Sequence, residues 1–552
     1  MFSRLRILFK HLTLTEARLF IGSLAVFGVS AIFGGTHLFY SQTVVAPVAG
    51  GTYIEGLIGQ PIAINPILAA SNDPDRDLIE VFFSPLSRLT ESIKESEDHK
   101  TWNVFLKPDL RWSDDEPLTS DDVVFTIDTI NDSESRSPLT PLWQGVTVER
   151  LSEREVRFSL RTAYAFFETS LQNLHVVPRH IFGTIPPANL RLSSYNLEPV
   201  GSGPYRFRNF IKRKDGFITD YFTEANPNYP EGEVLIKNLA VKFFDSYENA
   251  LNAFNRREID GLGGLDYRAL DKVKISHATT VVPMPRYYAI FLNQNAHLGL
   301  KDIAVRTALA RAADRETVLG NVLRDNGLLM YGPLHPGIEG YVSTFANIDR
   351  YDPEGVAKIL DVAGWKLKTD GVRAKTIGGG EVQLSFDLVV PDISFLKDVA
   401  VILRDAYQRV GIRLNIQLLS PAEINAHSLK ERDYQMILFG NILKNTPDVF
   451  SFWHSSERFF PGLNLSLYEN RGVDAMLESV RKDFDRTSRL NTLTRLQASI
   501  HNDYPAVFLF SPSYLYIHQK DLGGFTTQFI ATPSERFRDV AHWFLKTARV
   551  LR

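Results

Sequence analysis

Cysteine is absent from this 552-residue sequence. Its absence excludes disulfide bonds, thiolate nucleophiles and zinc sites built on cysteine, and also the lipid-modified cysteine that tethers many bacterial proteins to a membrane. An excess of basic charge is absent too, because the formal net charge is -3. Without a strongly basic domain, the chain lacks the electrostatic surface that nucleic-acid binding requires. We therefore expect no nucleic acid among its partners.

The sequence also lacks the short motifs of common enzymes. It contains no His-Glu-x-x-His, no Gly-x-Ser-x-Gly and no Walker motif. The run Asp73–Asp77 imitates the start of a calcium loop, but Leu78 and Ser84 stand where that loop needs glycine and glutamate. Adjacency alone does not make a base–nucleophile pair of His454 and Ser456. We expect no catalytic residue, no metal and no cofactor.

Length and composition indicate a multidomain globular protein. A chain of this length accommodates about three or four ordinary domains. Hydrophobic residues make up 44% of the chain and charged residues 23%, which is compatible with a large core. Alternation in Trp102–Leu106 and Val156–Leu160 predicts half-buried strands, and Tyr247–Arg257 followed by Glu258–Leu262 predicts a helix and then a strand.

One long apolar stretch lies near the N-terminus. From Leu19 to Tyr40 there is no Asp, Glu, Lys or Arg, and this length suffices for a membrane-crossing helix. Four basic residues precede it: Arg4, Arg6, Lys10 and Arg18. By the positive-inside rule we expect residues 1–18 in the cytoplasm, an anchor at 19–40 and a flexible linker at 41–52 that leads to an extracytoplasmic domain. A cleaved signal peptide is the alternative, although proline spoils the possible cleavage site Ala46-Pro-Val-Ala49.

Five carboxylates crowd into the run Leu110-Arg-Trp-Ser-Asp-Asp-Glu-Pro-Leu-Thr-Ser-Asp-Asp-Val-Val-Phe-Thr-Ile127. A metal or active site is one interpretation, but an acidic turn followed by a helix is the one we favour. Ser113–Pro117 has the composition of a turn. Thr119 and Asp122 have the spacing of a capping box, and the apolar residues of Val123–Ile130 recur at helical spacing.

A second motif, Gly201-Ser-Gly-Pro-Tyr205, predicts a backbone reversal. Its two glycines tolerate positive φ, and Pro204 directs the chain into the next strand. A phosphate-binding loop is the alternative, but the spacing is wrong and no Lys-Ser/Thr follows.

These motifs carry a resemblance to a known family. The acidic run resembles the signature Trp-x-Asp-Gly-x-Pro-Leu-Thr-Ala-Asp-Asp-Val-Val-Phe of the peptide- and nickel-type extracytoplasmic solute-binding proteins of ABC importers, with Asp115 at the usual turn glycine. Gly201–Tyr205 resembles that family's Gly-Thr-Gly-Pro-Tyr, and Asp302–Arg315 resembles its Val-Arg-x-Ala-Leu-x-x-Ala-Ile-Asp-Arg helix. Phe452–Glu457 is similar to another recurrent segment. The resemblance covers residues 50–525.

The resemblance implies a two-lobed α/β fold of the type II periplasmic-binding-protein kind. The expected divisions are lobe I at 53–285 with an inserted subdomain at 77–200, lobe II at 286–510, and a return to lobe I with a C-terminal tail at 511–552. The two prolines of Val281–Arg286 mark the first crossing. We expect Ala506–Phe510 to be the strand that returns to lobe I, after one long helix over Val473–Tyr504.

The resemblance also implies binding without catalysis. Two lobes joined by crossing segments can close on a ligand by hinge motion and expel water from the cleft. The implied partners are a peptide or other small ligand, an ABC permease with its ATPase subunits, and the membrane; we expect a monomer. A membrane-anchored sensor or interaction module without transport is the alternative, and a hydrolase is a distant third.

By resemblance, one wall of the cleft is the strand Ile54–Leu57, the other follows Phe439-Gly440, and Phe510–Tyr514 closes one side. The candidate ligand-binding residues are Glu55, Gly440, Asn441, Lys444, Trp453, Asn464 and Tyr514. Ordinary packing within a strand or loop is the alternative for each of them.

The second wall departs from the family's pattern. Peptide-binding members often read Gly-Trp-x-x-Asp followed by Asp-Pro, and that aspartate holds the ligand's α-amino group. This chain reads Gly440-Asn-Ile-Leu-Lys-Asn-Thr-Pro-Asp448. Lys444, near the aspartate's place, would repel an ammonium group and attract a carboxylate. The alternatives are that Lys444 points to solvent and that Asp448 takes over the role of the aspartate.

Overall fold

The computed structural model describes residues 13–68 and 72–551. Its first helix, α1 (Leu14–Gln42), starts at a capping box formed by Thr13 and Glu16 and has no buried residue. The most apolar stretch of α1 has a mean hydropathy of 1.8. At about 1.5 Å per residue α1 exceeds the roughly 30 Å of a bilayer core, so by length and composition it can cross a membrane. The predicted anchor at 19–40 lies inside α1. Three of the basic residues on which the predicted orientation depends, Arg4, Arg6 and Lys10, lie outside the described residues.

The remaining elements alternate between strands and helices. The strands in chain order are β1 Thr43–Val48, β2 Thr52–Ile58, β3 Thr90–Glu95, β4 Thr101–Leu106, β5 Val146–Ser152, β6 Glu155–Leu160, β7 Tyr205–Lys212, β8 Ile218–Ala225, β9 Asn238–Phe244, β10 Gly261–Gly263, β11 Ala278–Val282, β12 Arg286–Leu292, β13 Gly327–Leu329, β14 Lys366–Leu367, β15 Arg373–Ile377, β16 Gly380–Gln383, β17 Ser385–Pro391, β18 Arg413–Leu419, β19 Met436–Ile442, β20 Ala506–Pro512, β21 Tyr514–His518 and β22 Lys546–Leu551. The helices after α1 are α2 Asp73–Phe82, α3 Leu86–Leu89, α4 Ser120–Asn131, α5 Thr140–Trp143, α6 Phe167–Gln172, α7 Arg179–Phe182, α8 Tyr247–Asn255, α9 Leu298–Lys301, α10 Ile303–Arg311, α11 Arg315–Leu323, α12 Phe345–Ile348, α13 Pro353–Val362, α14 Ser394–Gln408, α15 Pro421–Glu423, α16 Phe450–Trp453, α17 Arg471–Lys482 and α18 Arg486–Asp503.

Lobe I is built on a seven-stranded sheet with the order β11-β21-β10-β2-β9-β8-β7. A separate four-stranded sheet, β3-β4-β6-β5, forms the inserted subdomain. Strand β4 alternates buried and half-buried residues, as the sequence predicts: Trp102, Val104 and Leu106 point into the core. That core joins the insert to helix α2.

Lobe II is built on a six-stranded sheet with the order β13-β20-β12-β19-β17-β18. Strands β17, β18 and β19 run parallel, whereas β12 runs antiparallel to β19. The carboxyl ends of the three parallel strands and the amino end of β12 therefore share one edge of the sheet. A further small sheet has the order β14-β15-β16.

The chain crosses between the main sheets of the two lobes twice. It leaves lobe I after β11 and enters lobe II at Arg286. Strand β20 belongs to the lobe II sheet, where Val507 pairs with Ile290. The expectation that Ala506–Phe510 returns to lobe I is therefore wrong, because the return comes one strand later: β21 lies in the lobe I sheet, beyond Ser513. Both crossings are single short segments, the arrangement that permits hinge motion.

Two predicted helices are each divided in two. The predicted helix 473–504 is interrupted between α17 and α18, where Asp485 accepts a cap hydrogen bond from the Ser488 amide. Phe484 leaves the helix there and stacks on His99 of the inserted subdomain, with ring centroids 3.7 Å apart. Likewise, the predicted helix 302–315 is divided. It contains α10 and the first residue of α11, and Asp314 caps α11.

The acidic run folds as predicted into a turn and a helix start. Asp115, at the place of the family's glycine, has φ 72, the left-handed conformation that a turn glycine would take. Thr119 and Asp122 form the capping box of α4. The explanation of the second motif is wrong, because neither Gly201 nor Gly203 has positive φ. A Cβ at either would instead lie under 3.0 Å from the Phe82 backbone, so these glycines allow close approach to α2.

The predicted flexible linker at 41–52 contains an ordered strand. All six residues of β1 pair with β22, Thr43 opposite Leu551 and Val48 opposite Lys546. The guanidinium of Arg549 lies 4.1 Å from the ring of Tyr40, and its Nη1 donates to the Thr43 Oγ1 at 3.1 Å. The C-terminal strand thus returns to the end of helix α1.

Candidate functional site

A cavity of about 340 Å³ opens between the two lobes. Lobe I contributes α2, the inserted subdomain and the C-terminal segment, and lobe II contributes the turn after β19. The lining residues are Pro66, Arg76, Ile79, Glu80, Leu139, Leu142, Trp143, Tyr164, Phe166, Thr169, Ser170, Asn173, Leu174, His175, Lys444, Asn445, Thr446, Ala531, Thr532, Ser534, Glu535 and Arg538. The lobe I lining combines apolar side chains such as Ile79 and Trp143 with polar and charged ones such as Asn173 and Arg538, so it can contact both kinds of ligand group.

Lys444 lies on the lobe II side of this interlobe cavity. It has φ 56 in the turn after β19 and an exposed side chain. Its ammonium forms neither an ion pair nor a hydrogen bond with another described residue. Asn445 and Thr446 line the cavity beside it. The turn that departs from the family's pattern therefore brings an uncompensated positive charge to the cavity.

Asp448 does not have free carboxylate oxygens for a ligand's amine. Its Oδ2 accepts from the Tyr164 hydroxyl at 2.8 Å and from Arg481 Nε at 2.9 Å, while its Oδ1 accepts from the Phe450 amide at 3.1 Å. Since Tyr164 belongs to the lobe I insert, Asp448 joins the two lobes. The Ala165 amide adds a second interlobe hydrogen bond, to the Arg481 carbonyl at 2.8 Å.

Two carboxylates of lobe I, those of Glu80 and Glu535, line the interlobe cavity. Burial raises the pKa of both Glu80 and Glu535. Glu535 accepts from the Ala531 amide at 2.9 Å and pairs with Arg538, whose Nη2 lies 3.4 Å from its Oε1. Glu80 accepts no hydrogen bond from another described residue. The nearest cationic candidate to Glu80 is His175, whose Nε2 is 3.9 Å away. Burial, assisted by Arg538, lowers the pKa of His175 to about 4, so this imidazole is neutral at pH 7.

Glu55 lies outside the interlobe cavity, in a fully buried ion-pair cluster of lobe I. Arg536 donates to Glu55 at 3.0 Å and to Asp77 at 2.8 Å. The Tyr516 hydroxyl donates to the second Glu55 oxygen at 2.8 Å. Tyr514 belongs to the same cluster, with its ring 5.7 Å from the Arg536 guanidinium. Protein groups therefore occupy both Glu55 oxygens. The ligand roles of Glu55 and Tyr514 stay predictions.

Trp453 and Asn464 lie in the core of lobe II. Trp453 is fully buried and packs against Phe291 and Phe508. Asn464 donates to the His454 and Tyr468 carbonyls at 3.1 and 2.9 Å, and it accepts from the Tyr468 amide at 3.1 Å. These bonds fold the loop between α16 and α17. Protein encloses the side chains of both Trp453 and Asn464. The ligand roles of these two residues also stay predictions.

Gly440 and Asn441 line a second cavity, of about 430 Å³, on lobe II alone. It lies at the sheet edge where β17, β18 and β19 end and β12 begins. Asn441 is buried, and its Nδ2 donates to the Tyr287 hydroxyl at 3.0 Å. A side chain at Gly440 would meet the ring of Tyr288 at 3.0 Å, so glycine leaves room for this ring.

The structure thus brings three predicted residues, Gly440, Asn441 and Lys444, to the two cavities and places the other four elsewhere. Sequence reasoning missed Tyr164, Glu80 and Glu535, which lie far apart along the chain. Their types carry no motif, and only the docking of the insert and the C-terminal segment against α2 brings them together.

Comparisons with known proteins agree with this architecture. The oligopeptide-binding protein AppA of Bacillus subtilis is 26% identical over 521 residues, 90% of this chain and 92% of the relative. The substrate-binding protein CtaP of Listeria monocytogenes has the same two-lobed fold, with a TM-score of 0.77, 24% identity and coverage of 90% and 99% of the two chains. The structure of NikZ from Campylobacter jejuni with Ni(L-His) has a TM-score of 0.71, 23% identity and coverage of 89% and 99%. A sequence model of the bacterial extracellular solute-binding proteins, family 5 (middle), matches residues 84–458, and the chain therefore belongs to that family.

Proposed function

We propose that this protein is the binding component of an ABC importer, which captures a peptide-like ligand between its lobes and delivers it to a membrane permease. An ATPase in another chain supplies the energy, and no catalytic step is involved. One observation carries the proposal: the interlobe cavity is lined by both lobes, so ligand contacts and lobe closure are coupled. The names of two relatives, an oligopeptide-binding protein and a probable D,D-dipeptide-binding protein, support the peptide-like class.

The charges of the interlobe cavity indicate how such a ligand is oriented. Lys444 on lobe II favours an anionic group, and an ion pair that closure desolvates is stronger than one at the surface. On lobe I, Glu80 accepts no hydrogen bond from another described residue and favours a cationic group, whereas Glu535 is already paired with Arg538. A zwitterionic ligand would satisfy both sides when the lobes close. Its amine would then lie on lobe I, not at the place of the family's lobe II aspartate.

We propose further that helix α1 is an uncleaved anchor. A cut at the possible site Ala46-Pro-Val-Ala49 would take away most or all of strand β1 together with the helix, although β1 pairs over its whole length with β22. The C-terminal strand therefore stabilises the segment in which cleavage would have to occur. The intact mass of membrane-extracted protein should be that of the whole chain, 62.4 kDa. Loss of the residues before β1 would contradict the anchor.

Thermal melting of the purified full-length protein tests the binding role. A pool of short peptides should raise the melting temperature, because a ligand at 100 times its dissociation constant adds about 2.7 kcal/mol to the free energy of unfolding. The variant Lys444→Asp should lose the shift for acidic peptides and keep its unliganded melting temperature. Absence of any shift, together with absence of a co-purifying ligand, would contradict the proposed function.

A further inference from the structure

The lobe II cavity carries an arginine without a partner. Arg286 opens strand β12, and its half-buried side chain lines the cavity. Its Nε is buried and has no hydrogen-bond partner, and its guanidinium forms no ion pair with another described residue. Since a buried polar group without a partner is destabilising, this donor is free for an acceptor that the described residues do not supply.

The rest of the lining is apolar or neutral. Its apolar part includes Leu396, Ile424, Leu429 and the rings of Tyr288 and Phe439. Within the described lining there is no acidic residue. A volume of about 430 Å³ falls within the range of small-molecule sites, roughly 300–1,000 Å³. The cavity thus combines an apolar wall with a single positive charge.

The position of the cavity connects it with the ligand of the cleft. It lies beyond the carboxyl ends of β17, β18 and β19, the edge at which open α/β sheets bind ligands. Ile442 lines this cavity and Lys444 lines the interlobe one. Consecutive Cα atoms are 3.8 Å apart, so the Cα atoms of these two lining residues are less than about 8 Å apart. An extended ligand beside residues 440–446 reaches both.

We propose that the lobe II cavity binds the C-terminal residue of the peptide-like ligand, with an apolar side chain against the wall and the α-carboxylate on Arg286. In a peptide, only an apolar C-terminal residue carries both an apolar side chain and a free carboxylate on its Cα atom. The guanidinium fork suits a carboxylate, whereas a peptide amide offers one neutral acceptor. This inference rests on the proposed function, because it assigns one end of the same ligand.

The test uses matched tripeptides and the full-length protein in detergent. Calorimetry measures the dissociation constants of Ala-Asp-Phe, its C-terminal amide and Ala-Asp-Gly. The wild type should prefer the free acid over the amide at least tenfold. Arg286→Gln should reduce this ratio to near one. Lys444→Gln, the matched control on the neighbouring cavity, should weaken both peptides and keep the ratio.

A second variant tests the apolar wall independently. Ile393 lines the cavity and is 42% exposed, so Ile393→Trp should fill space without disturbing the core. It should weaken Ala-Asp-Phe several-fold more than Ala-Asp-Gly. Equal binding of acid and amide by the wild type, or a ratio that survives Arg286→Gln, would overturn the inference and leave the proposed function standing. Binding of none of the tripeptides would also overturn it, and the co-purifying ligand would then decide the proposed function separately.

Discussion

The hydroxyl of Tyr164 donates to the Asp448 carboxylate over 2.8 Å and thereby joins the lobe I insert to lobe II. Arg481 contacts the same carboxylate, and its guanidinium lies 3.9 Å from the ring of Phe450. Asp448, which follows the turn that differs from the family's pattern, is therefore part of the contact between the lobes. In the proposed function, lobe closure and ligand capture would share this corner of the cavity, because Tyr164 also lines it.

Removal of this hydroxyl should weaken ligand binding. Tyr164→Phe leaves Asp448 paired with Arg481 but removes one interlobe hydrogen bond, which contributes about 0.5–1.5 kcal/mol to the closed form. We expect the dissociation constant of the co-purified ligand to rise about three- to tenfold by calorimetry. Tyr195→Phe, at a 40% exposed tyrosine of lobe I, is the control and should have no effect. An unchanged constant in Tyr164→Phe would show that this bond does not contribute to closure.

The buried cluster around Arg536 should be a major contributor to stability. Arg536→Met leaves Glu55 and Asp77 as adjacent buried carboxylates without a cation, and breaking a buried pair in this way costs about 3–5 kcal/mol. Guanidinium denaturation should show a loss of this size. Arg471→Met, at an exposed arginine, should change stability little. If Arg536→Met were as stable as the control, the cluster would not be structural, and a ligand role for Glu55 would gain support.

The charge of Lys444 should determine selectivity for acidic ligands. Lys444→Ala should weaken an acidic peptide about tenfold and leave a neutral peptide nearly unchanged, because only the former gains from the positive charge. Lys430→Ala, at another exposed lysine of lobe II that lines neither cavity, is the matched control. Calorimetry with an Asp-containing peptide and its Asn analogue measures the difference. Equal affinity of wild type and Lys444→Ala for the acidic peptide would exclude this role.

Stability should depend on pH through His175. Burial lowers its pKa from 6.5 to about 4. Between these values the unfolded chain binds a proton that the folded chain excludes, so stability is complete above pH 6.5 and falls as the pH falls towards 4. From pH 7 to pH 4.5, His175→Gln should lose about 2 kcal/mol less than the wild type. Burial also lowers the pKa of His335 to about 4, but His335 is present in both proteins and cancels.

Thermal or chemical unfolding at the two pH values measures this difference. His427→Gln, at an exposed histidine, should follow the wild type. Equal slopes for the wild type and His175→Gln would mean that His175 takes up its proton in the folded protein as readily as in the unfolded one.

Local patterns in the sequence predict much of the fold. Alternation predicts β4 and β6, and the spacing of Thr119 and Asp122 predicts the start of α4, since both depend on neighbouring residues only. The break before α18 is not predictable in this way. It depends on Phe484 meeting His99, which lies nearly 400 residues earlier.

The candidate site is less predictable for the same reason. Lys444 stands out because it replaces an acidic residue in a recognisable segment. Glu55 lies on the predicted strand, yet its partner Arg536 is 481 residues away, and that partner occupies the carboxylate. Arg286 carries no motif at all. Only the folded structure shows that residues from β17, α14 and β19 line the same cavity and that none of them accepts a hydrogen bond from its Nε.

The most direct measurement of the central claim is native mass spectrometry of the full-length protein from its host membrane, compared with Thr169→Trp. Thr169 lines the interlobe cavity, and tryptophan at this position should fill it. The wild type should retain a bound mass that fragments as a peptide-like compound, and Thr169→Trp, folded by its melting curve, should have lost it. A wild type without bound mass, or the same mass on Thr169→Trp, would contradict ligand capture between the lobes.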